Sequence, residues 1–174
     1  MSLQKFMANN ANYHLWATQK FVAWLSSKPE ELLHKEVPSS FNSIIKTLNH
    51  IRATDEYWYA VIAETQEFEN RMSATELNTK EVFEGIIHQA HEISRLIESY
   101  SEDELSKTVK IDTPWFSCEL PKYEYLQQLI NHATYHRGQI VTIGRNIGIT
   151  DGFNTDYNYY NIYKERDNTK AGML

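Results

Sequence analysis

Two histidines, His132 and His136, stand four residues apart in "LINHATYHRGQI", a stretch otherwise patterned as helix. Residues at i and i+4 are about 40° apart around a helix axis, so both imidazoles project from one face and could grip one ion. The same spacing fits a surface pair or a hydrogen-bonded core pair, and two ligands rarely suffice for a metal. A third candidate is His50 in "TLNHIRATDEYW", on a line with Ser43, Lys46, Thr47, Thr54, Tyr57 and Val61 that is mixed rather than apolar. The zinc-protease motif H-E-x-x-H shares the i, i+4 spacing but needs a Glu after the first His as general base; here that position is Ala133. A peptidase mechanism is therefore disfavoured, whichever metal binds.

Other polar and aromatic residues bear on the same region. Tyr57 falls about 20° from His50 around its helix, and Gln139 about 20° from His132, which makes them candidate substrate-facing groups. Trp16 could line a pocket, although aromatics at helical spacing are more often core. Asp55 and Glu56 each lie more than about 100° from His50, so they suit a neighbouring helix, with at least one expected on the surface. His88 and His91 sit beside Gln89 and Glu92 and read as a solvated face. His14 and His34 have no evident partner. Arg137 reads as a structural ion pair or helix-end contact, and Cys118 as packing, because nothing nearby lowers a thiol pKa.

Four long periodic segments must position these residues. The first spans about residues 6–26 and is broken by Pro29, which suits a new first turn. The second follows "VPSSF", with Ser39 or Ser40 as the expected cap, and runs to about residue 64. In the third, Asn78 and Glu81 resemble a capping box, and Val82, Ile86, Ala90, Ile93 and Ile97 recur at helical steps to Tyr100. Residues 101–120 alternate over short runs around a Pro, predicting a loop or small hairpin. Pro121 then opens a fourth helix that Gly148 ends, and a short terminal helix is expected from Thr155. The pattern predicts an all-α chain: a four-helix bundle with a loop or hairpin before the fourth helix and a short C-terminal helix. At 174 residues a single domain is expected.

Charge and composition narrow the function. A formal net charge of −6 with no offsetting basic run disfavours nucleic acid as a partner. The N-terminus shows no basic segment followed by an apolar one, and no stretch approaches the roughly 18 apolar residues of a membrane span, so a cytoplasmic location is expected. With one cysteine, Cys118, neither an intramolecular disulfide nor a Cys-rich zinc knot is available. A metal here would rely on His or carboxylate.

"TLNHIRATDEYW" and "LINHATYHRGQI" together resemble the DinB-like family, named for DNA-damage-inducible bacterial proteins. The likeness extends to "NYHLWATQKFVAWLSS", "SSFNSIIKTLNHI" and "DYNYYNIYKE", while about residues 65–120 match by helix pattern alone. The resemblance implies one domain over residues 1–174, a four-helix bundle, frequent homodimers, and three histidines holding a divalent metal, commonly nickel or zinc. Carried onto this chain, the ligands are His50, His132 and His136. Many members have a second His before the last ligand; Tyr135 stands there, and that position is not a ligand. Three imidazoles leave coordination positions open for water or substrate, as in a catalytic site. Characterised relatives include transferases joining a low-molecular-weight thiol such as bacillithiol or mycothiol to an electrophile, and a thiol-dependent isomerase; others are described as metal-dependent hydrolases. The resemblance thus implies a metal-dependent enzyme acting on a small molecule, with a low-molecular-weight thiol as cosubstrate in the transferase version. The alternative is a non-catalytic metal-binding or stress-related module. The family name describes induction of expression and implies no DNA contact.

Overall fold

A computed structural model of the chain describes residues 1–65, 78–114 and 116–171, with side chains described through residue 164. Helix α1 (Leu3–Ser26) starts three residues earlier than the sequence suggests, because the Ser2 side chain accepts from the Lys5 amide and caps it. Pro29 then opens the short α2 (Glu30–His34). Helix α3 (Ile44–Ala63) is capped by Ser43, whose Oγ accepts from the Lys46 amide, and not by Ser39 or Ser40. The reason is local backbone: Asn42 has φ 38 and Ser43 is extended, so the helix cannot reach back to residue 41. Helix α4 (Thr79–Ser99) is capped by Asn78 on the Glu81 amide, as its sequence suggests.

The region before the last long helix holds a small α5 (Glu102–Ser106) and an antiparallel hairpin of β1 (Thr108–Asp112) and β2 (Ser117–Pro121), with Ile111 opposite Cys118. Helix α6 (Lys122–Asn146) follows at once and stops at Gly148, whose φ of 94 suits the left-handed position past a helix end. Helix α7 (Tyr157–Ala171) begins two residues after Thr155; the Asn154 side chain accepts from the Asp156 amide just before it.

The long helices form a ring in the order α1, α4, α3, α6. Cross-contacts give their directions. Trp58 stacks on Tyr125 while His50 meets His132, so α3 and α6 are antiparallel. Asn12 bonds Ser94 and Glu98 while Gln19 meets His91, so α1 and α4 are antiparallel as well. Arg52 reaches the Glu81 carbonyl and Tyr100 the Ile62 carbonyl, which makes α3 and α4 parallel. The bundle has one hairpin end, where the buried Lys122 ammonium joins Glu64 at 2.7 Å and Glu104 at 2.6 Å, tying the start of α6 to the end of α3 and to α5.

Two apolar clusters fill the interior. One, with Met7, Val61, Ile97, Leu105, Tyr125 and Leu126, lies toward the hairpin; the other holds Phe21, Leu25, Leu48, Ile86, Ile140 and Ile143. Buried polar residues fall between them along each helix: His14 and Thr18 on α1, Thr54 and Asp55 on α3, His136 and Arg137 on α6. A polar waist in an apolar bundle needs a reason, since buried polar groups cost free energy unless partnered.

Candidate metal centre

His50 on α3 and His132 and His136 on α6 meet at this waist. The Nε2 atom of His132 lies 3.0 Å from that of His50 and 3.0 Å from that of His136. Nitrogens bound at about 2.0–2.1 Å to one ion, at angles between octahedral and tetrahedral, sit roughly 2.8–3.4 Å apart, so the two 3.0 Å separations suit a divalent cation, and all three atoms lie within 4.8 Å of one another. Among the described residues, they form the one group of His, Cys, Asp or Glu whose ligand atoms converge in this way. Ring chemistry agrees. The Nδ1 atom of His136 is 2.7 Å from the Gln139 Oε1, an acceptor, so that nitrogen carries the proton and Nε2 presents a bare lone pair. Lone pairs converging from several rings repel one another unless a proton or metal sits between them.

The imidazoles are held neutral. Burial pushes His50 down to about 4 from its ordinary 6.5, with the charge of His136 adding to the effect. His132 falls to about 4 for the same reason, with contributions from His136 and His50 and opposition from Asp55. His136 is lowered by burial, partly offset by the Gln139 hydrogen bond. Neutral imidazole is the metal-binding form. These shifts carry a stability consequence. Between pH 6.5 and about 4 the unfolded chain takes up protons on His50 and His132 that the fold resists, so stability falls as pH drops through that window. The metal-free protein is expected to show a falling thermal midpoint from pH 7 to pH 4.5, checked by circular dichroism. The His50→Gln/His132→Gln double variant should lose part of that slope.

Phe41, which sequence reasoning placed simply at the start of a helix, is part of the site. Its ring stacks on His50 at 3.9 Å between centroids and meets His136 edge-on at 5.5 Å. The turn that delivers it depends on Asn42 in the left-handed region, a residue type enriched there and the one available signal. Tyr135, 64% exposed, packs against His136 at the outer side and accepts from the Gln139 amide at 3.1 Å. Phe41 and Tyr135 thus flank the imidazoles.

The remaining sequence candidates are placed as follows. Gln139 engages His136 and Tyr135. Tyr57 is half-buried near the hairpin, in contact with Trp58 and within electrostatic reach of Cys118, which together with burial raises its phenol pKa. Trp16 belongs to an aromatic group with Tyr13, Tyr159 and Tyr160 between α1 and α7. Cys118 sits 3.5 Å from the Tyr125 hydroxyl. His88 is exposed, and His91 meets Gln19 at 3.3 Å. His34 contacts Thr79.

The expectation that Asp55 or Glu56 would be on the surface fails for both. Glu56 folds back onto Arg52 at 3.0 Å and is 13% exposed. Asp55 is fully buried, with Oδ2 3.0 Å from the Nε2 of the equally buried His14. Arg137 completes this cluster: its guanidinium is 3.5 Å from the His14 Nδ1, donates to the Thr134 hydroxyl and lies over the Tyr13 ring. Burial lowers the Arg137 pKa, and Tyr13 and Asp55 oppose that. Nothing in the local spacing marks this trio, because its members come from three helices.

A family model, the DinB family, matches residues 1–167. Protein DinB of Bacillus subtilis (strain 168) is 30% identical over 156 residues, covering 85% of this chain and 89% of that protein. The chain belongs to the DinB family. Among solved structures, a DinB-like protein from Bacillus cereus ATCC 10987 superposes with a TM-score of 0.64 at 20% identity, covering 82% of this chain and 91% of that one. A DinB-like protein from Bacillus subtilis gives the same TM-score, 0.64, at 16% identity, covering 86% and 97%. These likenesses support the helical-bundle fold. No helix among the described residues is long and apolar enough to cross a membrane.

Proposed function

We propose that the chain is a metal-dependent enzyme that transfers a low-molecular-weight thiol to an electrophilic small molecule, with metal-dependent hydrolysis as the neighbouring chemistry. The observation that carries the reading is the convergence of three neutral imidazoles, two half-buried and His136 buried, with no fourth protein ligand among the described residues. Nickel or zinc suits this donor set. When bound, such an ion acts as a Lewis acid that lowers the pKa of a thiol or water brought to it. The protein's own part is to hold the imidazoles neutral and oriented, through burial and the Gln139 hydrogen bond, and to frame the approach with Phe41 and Tyr135. No protein cysteine is required, consistent with Cys118 lying against Tyr125.

The reading extends to a cytoplasmic homodimer acting on a small molecule and not on nucleic acid. A second reading, a non-catalytic metal-binding module, is favoured by one observation: no carboxylate joins the three imidazoles among the described residues to act as general base. One experiment separates them. Zinc- and nickel-loaded protein is incubated with bacillithiol, mycothiol and simpler thiols plus a model electrophile, and with ester and amide substrates. Conjugation above the metal-free control, lost in His136→Ala, supports the transferase; ester or amide turnover supports the hydrolase. No rate above control on any substrate supports the binding module.

A further inference from the structure

We propose that Phe41 is the positioning residue for His50: its ring, stacked on that imidazole, fixes the plane in which Nε2 meets the other two rings and favours the metal-bound form. The inference rests on the metal reading and deepens it. A ligand imidazole is usually held from outside, most often by an acceptor for its second ring nitrogen. For His136 that acceptor is Gln139, 2.7 Å from Nδ1. His50 is held differently. Among the described residues its ring makes one hydrogen-bond contact, through Nε2 to His132, and none through Nδ1.

The stack on Phe41 takes the place of that second contact. The two ring centroids are 3.9 Å apart with 19° between the planes. The last torsion of a histidine has only a broad, two-fold preference of its own, so an unsupported ring swings; here rotation would drive its edge into the Phe41 face. The same Phe41 ring meets His136 at 5.5 Å and 66°, so it braces one ligand from α3 and one from α6. Phe41 is half-buried and belongs to neither apolar cluster, and both of its ring contacts among the described residues are with these two histidines. Its turn is tied on both sides. The Phe41 carbonyl accepts from the Ser43 amide at 2.6 Å, the Asn42 carbonyl from the Val37 amide at 2.9 Å, and the Asn42 side chain donates to Glu36 at 3.1 Å. The stack also discriminates between the two states of the site. An imidazole whose lone pair is given to a cation takes on part of the positive charge, and the negative face of a benzene ring attracts it more than a neutral ring. Phe41 therefore stabilises loaded His50 over free His50, and that difference adds to affinity.

The test compares wild type, Phe41→Leu, which keeps apolar bulk without the flat face, and Phe41→Tyr, which keeps the face. Zinc affinity is measured by competition with a chromophoric chelator, urea unfolding is followed without metal, and the histidine ring protons are observed by NMR. Phe41→Leu is expected to bind zinc about 3- to 10-fold more weakly, and Phe41→Tyr to stay within about twofold of wild type. The His50 ring protons, lying over a benzene face, should be shifted upfield in wild type and Phe41→Tyr and move downfield in Phe41→Leu. Wild-type zinc affinity in Phe41→Leu overturns the proposal, even where urea unfolding shows a loss of stability, because Phe41 is then packing alone. Equal weakening in Phe41→Leu and Phe41→Tyr overturns it too, since the aromatic face would not be the cause. If Phe41→Leu does not fold, the wild-type spectrum decides: His50 protons without an upfield shift overturn it, and shifted ones support it. Failure of wild type to bind zinc is a different result, which removes the metal reading itself and this inference with it.

Discussion

His132→Ala is expected to lose stoichiometric binding of zinc and nickel, with affinity down by more than about 100-fold. That bound follows because loss of a supporting hydrogen bond alone costs about 10- to 100-fold, and loss of a ligand costs more. His132 is the hub of the cluster, the ring whose Nε2 lies 3.0 Å from both of the others, so its removal leaves no described pair in the same contact. The fold should survive. His132 is only half-buried and belongs to neither apolar cluster, and the ring removed is one whose burial resists protonation. The metal-free variant should therefore unfold within about 1 kcal/mol of wild type, in line with substitutions outside the core. Calorimetric titration of both proteins, with urea unfolding of both, checks the two halves together. Undiminished binding of one ion per chain would place the metal elsewhere.

The second large effect is on stability and falls on Arg137. Arg137→Met is expected to destabilise the protein by about 3–5 kcal/mol, the usual cost of removing one member of a buried charged set and leaving the other without its counter-charge. Asp55 would remain fully buried with only His14 beside it, and the contacts of the guanidinium with Thr134 and Tyr13 would go as well. Arg137→Lys should recover only part of the loss, since a single ammonium cannot reach Thr134 and His14 at once as the planar fork does. Urea unfolding at pH 7 measures both. A loss below about 1 kcal/mol for Arg137→Met would mean the cluster is not a coupled unit.

Arg137 also marks where sequence reading stops. The three converging histidines could be picked out because each sits in a recognisable stretch and two share a helix face. Bundle architecture could be read from helical periodicity, from the Asn78 cap and from Pro and Gly at the helix ends. The His14, Asp55 and Arg137 cluster could not, because it brings together residues from α1, α3 and α6 whose only local signature is a polar side chain at an otherwise apolar level. From His50 alone, Asp55 falls on the wrong face; only the packing of α1 and α6 around it shows which face that is. Phe41 was hidden for a different reason. Its contribution depends on a left-handed residue, Asn42, after which the helix starts with a cap three or four positions later than Ser40 or Ser39 would give. Gln139 lay between: its nearness to the site was readable from spacing, but its partner was set by side-chain geometry, which gave it to His136.

The central claim is that His50, His132 and His136 together hold one divalent ion. Crystals of the chain loaded with zinc, measured on both sides of the zinc absorption edge, test it most directly. One anomalous peak per chain is expected, about 2.0–2.1 Å from the Nε2 atoms of all three histidines. No peak between these rings in zinc-saturated protein, or a peak only at His34, His88 or His91, would contradict it.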